Sequence, residues 1–566
     1  MTPGASPPPG DAAASVDRRI LSLDAVRGLA ILMMCLSGVV PRYLPNWMYH
    51  GYYPQYLPDE AGVWSRVGNP WAFWSGSAFT WVDWVFPMFL FAMGAAFPLA
   101  LSRGLEAGRS RGRLASQVLW RGVVLIGFAV YVQQITPHFI AGGQARSVAD
   151  LLLALTGFVL LFPVLMRLPR RWPRIASLAM RTFGMIGVVA LLWWIHHRSE
   201  QAFSWNEKDI IILLLAWMAI FGSLLWLLTP GRWWPVRLGV GLGVAFLAHH
   251  QAMSPKWRWF GDSLSPAMEA LNGWPKAALD LTWIVDHPGF QLAVLYDFTW
   301  LKFLWIVIPG TLVGDRLLRY VRSGRSSGEA GNNDAAWRPG RQGVVAALHV
   351  AAIGVVLWAF SVRLGVVLSL PGGGELTRSW LEALAAVALA WAAFAVSRRD
   401  RSPRGRLAGD LSMIAAIVLS VGIAVEPWEG GIKKGPPSTL SWYLISTALT
   451  VSLLVVFVVV IDASRRGRKW LSPLVLNGQN PMAAYAAIRN LLAPVVSLPL
   501  LAPLESTVEG LEHDSVDAAM THDVLGATDA EGRPIPWLLF LWSLGKTLLL
   551  AAAVAVMTRA RLILRS

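Results

Sequence analysis

The chain has 566 residues, 55% of them hydrophobic and only 15% charged, with 30 Trp and a mean hydropathy of +0.49. A soluble protein of this length would divide into domains carrying more charge. Here apolar runs of bilayer-spanning length recur from end to end, which excludes a soluble globular enzyme and predicts an all-α, polytopic membrane bundle. The net charge of +15 does not signal nucleic acid, because it is concentrated in the connections between apolar runs.

Residues 1–19 open with "MTPGASPPPGDAAASVD", whose Pro, Ala and Gly predict a disordered tail. The Arg18-Arg19 pair and the apolar run after it resemble a signal peptide. No small-residue cleavage site follows, so an uncleaved first helix is expected. The only cysteine, Cys35, lies in that run, which excludes an intramolecular disulfide.

Residues 20–566 read as one transmembrane domain. Fourteen candidate helices fall near 20–41, 80–102, 114–134, 148–166, 182–196, 209–228, 237–250, 298–315, 343–362, 379–397, 410–426, 440–462, 482–502 and 536–558. The fifth and seventh are short enough to be tilted or re-entrant, so about 11 to 14 cross the bilayer. The connections alternate in charge: tail and loops at 1–20, 103–113, 167–181, 229–237, 315–341, 397–406, 463–470 and 558–566 hold 31 of the 49 Lys and Arg. The opposite set holds 13. The positive-inside rule then puts both termini in the cytoplasm, with the basic loops facing anionic lipid. Three outer loops, 42–79, 251–297 and 503–535, are long enough to do more than connect helices.

Charges inside spans are costly and mark function. The candidates are Asp24, Arg27, Asp83, Arg121, Lys302, Arg489 and Lys546. Asp24 and Arg27, three residues apart, meet on one helix face and can neutralise each other. Asp83 opens the second helix from the outer side, where the helix dipole favours a carboxylate. Pro87, one turn further, requires a neighbour to satisfy the carbonyl it frees. Lys302 and Lys546 suit snorkelling, while Arg489, furthest from either end of its run, suits a buried role. "GVGLGV" lies within a span and reads as small-residue helix packing. His513, Asp514, His522 and Asp523 match no metal motif, and no metal is expected. His50 stands in "WMYHGYYPQY" and His287 in "IVDHPGFQL", both outer loops; His196-His197 and His249-His250 end spans.

Four stretches carry a family resemblance. "RRILSLDAVRGLAILMMCLSG" followed by "FTWVDWVFPMFLFAMGAAFPLALS" resembles the opening helices of the heparan-alpha-glucosaminide N-acetyltransferase family. "GGIKKGPPSTLSWYLISTAL" (430–449) resembles its lysine-containing approach to a late helix, and "LNGQNPMAAYAA" (476–487) its late Asn-containing helix start. A bacterial branch with "WMYHGYYP" and "VIPGTLVGD" (307–315) is closer still.

The resemblance implies a membrane acyltransferase that takes acetyl from cytoplasmic acetyl-CoA and delivers it to an extracytoplasmic sugar or cell-envelope glycan, in a bacterial inner membrane. It implies His50 as the catalytic imidazole and Asp83 as its helix-opening partner. It further implies Asp24, Arg27, Lys433 or Lys434, Asn480 with Asn477 nearby, and Arg489 as substrate- or cofactor-binding residues. The chain departs from the animal members at two places: 32 residues separate His50 from Asp83, making 51–79 an insertion, and Ser37-Gly38 stands where they have an asparagine. A histidine can take the acceptor's proton or carry the acyl group itself; Asp83 would orient it, Asn480 or a basic residue would steady the oxyanion, and cytoplasmic arginines would hold the CoA phosphates. The expected partners are acyl-CoA, the glycan acceptor and membrane lipid, without nucleic acid; a homo-oligomer is compatible. The alternative is a transporter or flippase for an envelope precursor, although no inverted repeat of broken helices is visible.

Overall fold

In the computed structural model the described residues are 20–40, 48–50, 56–58, 64–66, 78–142, 147–166, 168, 172–199, 205–249, 270–271, 273–279, 292–326, 339–361, 366–371, 374–400, 402–435, 438–498 and 535–564. They form an all-α polytopic membrane protein: 12 helices among them are long and apolar enough to cross a bilayer. His287, His513, Asp514, His522 and Asp523 lie outside the described residues.

In chain order the helices are α1 (Leu21–Val39), α2 (Trp81–Glu106), α3 (Arg111–Gln134), α4 (Pro137–Ile140), α5 (Val148–Leu165), α6 (Arg174–Ser199), α7 (Ile210–Leu228), α8 (Trp234–His249) and α9 (Leu304–Ser326). There follow α10 (Pro339–Ser361), α11 (Arg378–Ser397), α12 (Pro403–Glu429), α13 (Leu440–Phe457), α14 (Arg465–Trp470), α15 (Ser472–Gln479), α16 (Pro481–Ala487), α17 (Ala493–Val496) and α18 (Ile535–Arg559). Two antiparallel hairpins lie between helices, β1 (Tyr56–Pro58) with β2 (Trp64–Arg66), and β3 (Val366–Leu370) with β4 (Gly374–Thr377).

Two expectations change, at the fifth and the thirteenth runs, and one holds, at the seventh. The fifth helix begins at Arg174 rather than near 182 and is full length at 26 residues; it lies at the periphery, where Arg174 and Arg181 cost little. The seventh, α8, is short as expected, at 16 residues. The run at 482–502 is broken, since α16 and α17 are joined by a π-helical turn at Ile488–Leu492.

Small residues set the closest helix crossings. "VIPGTLVGD" contains a Gly-x-x-x-Gly pair, and Cβ atoms on Gly310 and Gly314 would lie 2.6 Å from the Phe91 carbonyl oxygen and 2.4 Å from that of Ala95. That contact lets α9 lie directly on α2. The crossing of α1 and α15 is tighter: a Cβ on Gly28 would meet the Leu474 carbonyl oxygen at 1.9 Å, and one on Gly478 the Asp24 carbonyl oxygen at 1.7 Å. The sequence blocks "SLDAVRG" and "LNGQNP" are therefore packed backbone to backbone. In "GVGLGV" Gly241 faces Ile308 of α9, which accords with a packing role.

A buried cluster of apolar side chains gathers α2, α7 and α9 to α13 around α1's first half. A second joins α1's last turns (Ile31, Cys35) to α3, α5, α7 and α16. By contrast α6 is only 11% buried over its apolar window and turns Trp193 and Trp194 outward, as a lipid-facing helix does.

Candidate active site

At the end of the bundle opposite the Arg- and Lys-rich connections, three segments distant in sequence converge. The chain leaving α1 presents His50, the first turn of α2 presents Asp83, and the segment between α12 and α13 presents Lys434. His50 Nδ1 lies 2.7 Å from Asp83 Oδ1. Lys434 Nζ lies 3.2 Å from Nδ1 and 3.3 Å from Nε2 of the same ring.

Local sequence explains each position. "TWVD" (80–83) is an N-cap with an acidic residue at the third helical position: Asp83 Oδ2 accepts the Thr80 backbone N–H at 3.1 Å. That leaves Oδ1 for His50. The Thr80 hydroxyl donates to the Tyr49 carbonyl, tying the residue before His50 to the start of α2. The 32 residues between them in sequence therefore do not keep the pair apart. Pro87 has no N–H to donate to the Asp83 carbonyl, and the Trp442 indole N–H donates to that carbonyl at 3.2 Å instead. Trp84 in turn donates to Thr450 Oγ1 at 2.8 Å, so α2 and α13 are bonded in both directions.

The lysine segment is equally constrained. Past Glu429 the helix α12 ends on Gly430 with φ +70°, followed by Gly431 at φ +111°, left-handed conformations that glycine adopts without strain. The Glu429 carboxylate accepts the N–H groups of Leu440 and Ser441 at 2.7 and 2.8 Å, capping α13. Lys433 N–H donates to Thr439 Oγ1 at 2.9 Å, and Thr439 N–H to the Lys433 carbonyl at 3.0 Å. This bracket aims Lys434 at the imidazole, whereas the Lys433 charge acts on Glu429. The choice between the two lysines thus falls on Lys434.

The electrostatics of the ring are finely balanced. At an effective dielectric constant of about 20, unit charges at these separations interact by about 6 kcal/mol (Asp83, attractive) and about 5 kcal/mol (Lys434, repulsive). The two nearly cancel, and burial decides. His50 is pushed below its ordinary imidazole value, by desolvation first and by Lys434 second, with Asp83 opposing. Lys434 is likewise pushed below its ordinary value by burial, opposed by Asp83. Asp83 keeps only 1% of its side chain exposed, and His50 25%. With Nδ1–H directed at the carboxylate, the neutral ring carries its lone pair on Nε2. A partly exposed imidazole oriented by a buried carboxylate is equipped to take a proton from an incoming hydroxyl or amine.

The other expected site residues lie elsewhere. Asp24 and Arg27 pair at 3.3 Å, and Arg27 also donates to the Ala92 carbonyl at 3.1 Å, linking α1 to α2. Asn477 donates to the Pro473 and Ala551 carbonyls. Asn480 donates to the Leu562 carbonyl at 2.8 Å and accepts the Leu564 N–H at 3.0 Å. Asn477 and Asn480 belong to the basic end, where α1 begins and α18 finishes, and Asp24 and Arg27 stand in the first two turns of α1, with Arg27 reaching the middle of α2. The 19 residues of α1 separate that end from His50 by about 28 Å. Asn480 therefore does not reach the site as an oxyanion donor; its amide clasps the residues after α18. Arg489 is a further correction: it is exposed rather than buried, and donates to Gln133 Oε1 at 3.1 Å from the π-helical turn. Arg121 is exposed on α3, and Lys546 lies over Trp542.

Several buried polar groups escaped sequence reading. Arg237, placed in a connection by its position, is buried in α8 and paired with Asp315 of α9, which also accepts from Trp226. Asp209 accepts from the Tyr485 hydroxyl, and His349 on α10 lies 2.8 Å from Ser412 on α12. Each residue sits alone in an apolar run or at its end, and the signal is only the partner that packing brings. Glu429 and Trp442 flank the lysine segment in sequence, and proximity to it is the one clue to their role.

A family model described as a domain of unknown function (DUF5009) matches residues 19–257. That stretch carries His50 and Asp83 but not Lys434. No curated protein matches the chain.

Proposed function

We propose that this protein is a membrane-bound acyltransferase moving an acetyl or similar acyl group from cytoplasmic acetyl-CoA to an amine or hydroxyl of an extracytoplasmic sugar or cell-envelope glycan. The bacterial cytoplasmic membrane is the setting that fits such an acceptor. The observation that carries the reading is the His50–Asp83 contact at 2.7 Å, made by the two residues that the acyltransferase resemblance singles out. Asp83 holds Nδ1–H, and Nε2 accepts the acceptor's proton as its nitrogen or oxygen attacks the thioester carbonyl. The tetrahedral intermediate then collapses, the C–S bond breaks, and the proton passes from the imidazole to the departing CoA thiolate. A burial that excludes water favours transfer over hydrolysis.

The experiment is acetyl-CoA turnover by the purified protein in nanodiscs, with amino sugars and envelope glycans as acceptors, wild type against His50→Ala. The expected result is acceptor-dependent release of CoA by wild type and its loss in the variant, with CoA binding retained. Undiminished turnover in His50→Ala would remove the site assignment. The transporter reading draws on the buried Arg237–Asp315 pair between α8 and α9. Acceptor flux into proteoliposomes lacking any acyl-CoA would favour it.

A further inference from the structure

The contact between Lys434 and His50 brings two groups capable of positive charge together where one carboxylate serves both. Nζ is nearly equidistant from the two ring nitrogens, 3.2 and 3.3 Å. A nitrogen so placed lies on the in-plane lone-pair axis of neither, because those axes diverge from opposite sides of the ring. Nδ1–H therefore stays with Asp83 Oδ1, and the ammonium lies beside Nε2 without lying on its lone-pair axis. The ammonium's place is built rather than accidental: Gly430 and Gly431 turn the chain, Glu429 caps α13, and the Lys433–Thr439 bonds close the bracket.

We propose that Lys434 is a positioning residue whose ammonium, held against the imidazole, keeps His50 in its neutral, Nδ1-protonated form and drives release of any proton the ring takes up. This role rests on the reading of His50 as the base. Among the described residues, the charged groups acting on the ring are Asp83 from α2 and Lys434 from the segment between α12 and α13. Glu429 and Lys433 interact with each other beside them. Asp83 and Lys434 together are neutral, so a protonated ring leaves the trio with a net positive charge in a largely desolvated setting. The direction agrees with burial and Lys434 both lowering the proton affinity of His50. The same device suits a transfer cycle, since an imidazolium that persisted would block the next turnover.

The test is the titration of His50 in nanodiscs without CoA or acceptor. The protein is labelled at histidine 13Cε1, and the His50 signal is identified by its loss in His50→Asn. The wild-type midpoint is expected below the ordinary histidine value of about 6.5. In Lys434→Gln it should rise by about one pH unit or more, a tenfold change in proton affinity, while Lys434→Arg, which keeps a fixed charge, should stay near wild type. A Lys434→Gln midpoint equal to or below wild type, with the other histidine signals unmoved, overturns the proposal. Should Lys434→Gln fail to fold, a Lys434→Arg midpoint at the ordinary value does the same. The readout involves no acyl transfer, so failure to find an acceptor and failure of this role remain distinguishable.

Discussion

Asp83→Asn is the sharpest perturbation of the site, because the amide has the carboxylate's shape without its charge. Oδ1 faces His50 Nδ1 at 2.7 Å and Oδ2 accepts the Thr80 N–H at 3.1 Å. The asparagine carbonyl can keep the Thr80 bond, but its NH₂ then faces Nδ1, which must accept. The ring proton moves to Nε2, and the lone pair needed for base catalysis is gone. The attraction of about 6 kcal/mol for an imidazolium, estimated at a dielectric constant of about 20, is lost as well. The Lys434 repulsion of similar size then stands unopposed. Loss of the orienting carboxylate in a Ser-His-Asp triad lowers kcat by about 10⁴, or about 5.4 kcal/mol of barrier, which matches that scale. Two measurements check this: acceptor-dependent turnover, expected to fall by about three to four orders of magnitude, and histidine 15N shifts, expected to show His50 changing from the Nδ1–H to the Nε2–H tautomer. Turnover within tenfold of wild type, or an unchanged tautomer, would refute the reasoning.

Three further substitutions probe the frame. Trp442→Phe removes the indole N–H that serves the Asp83 carbonyl; an unmatched buried carbonyl costs about 1–3 kcal/mol, read as a lower Tm in detergent. Gly478→Ala places a Cβ 1.7 Å from the Asp24 carbonyl oxygen, so α15 must withdraw from α1 by more than about 1 Å at a cost of about 1–3 kcal/mol or more. A variant melting with wild type would show that the helices do not cross there. Asn480→Ala orphans the Leu562 carbonyl and the Leu564 N–H. It should raise protease sensitivity after Arg559 while turnover per folded molecule is retained, and a selective loss of turnover would return Asn480 to the chemistry.

The spans were legible because a bilayer imposes length and apolarity on each helix separately, and all 14 candidates are helical. Where the reading slipped, tertiary context had intervened. The π turn at Ile488–Leu492 breaks a run that hydropathy shows as continuous, and Arg237 looks like a loop arginine until Asp315 is set beside it. At the site, Asp83 announced itself through "TWVD" at a helix start, a local capping signal. Its pairing with His50 rests on contacts that no spacing encodes, the Thr80–Tyr49 bond above all. Lys433 and Lys434 are adjacent and chemically identical, so only the bracket around Thr439 and Glu429 separates them. Asn480 carried a functional resemblance but serves the C-terminal clasp, which no local pattern could reveal.

The demands on Asp83 explain why so much of the chain is committed to α2. A carboxylate with 1% of its side chain exposed is costly unless its charge is met on every side. The helix N-terminus contributes partial positive charge, Thr80 an N–H, His50 a ring N–H and Lys434 an ammonium. Each comes from a different constraint, so a shift of any one segment leaves the charge under-compensated. The surroundings oppose such shifts: Trp442 bonds the Asp83 carbonyl, Arg27 bonds the Ala92 carbonyl, and the Gly310 and Gly314 contacts press α9 onto the middle of α2. Asp24–Arg27, remote from His50, thus bears on the site mechanically, by holding the helix on which Asp83 stands. A base whose partner must stay within hydrogen-bond distance gains when that partner is mounted on a deeply buried membrane-spanning helix. With 72% of its apolar window buried, α2 is second among the candidate spans only to the helix that bonds it through Trp442 and Thr450.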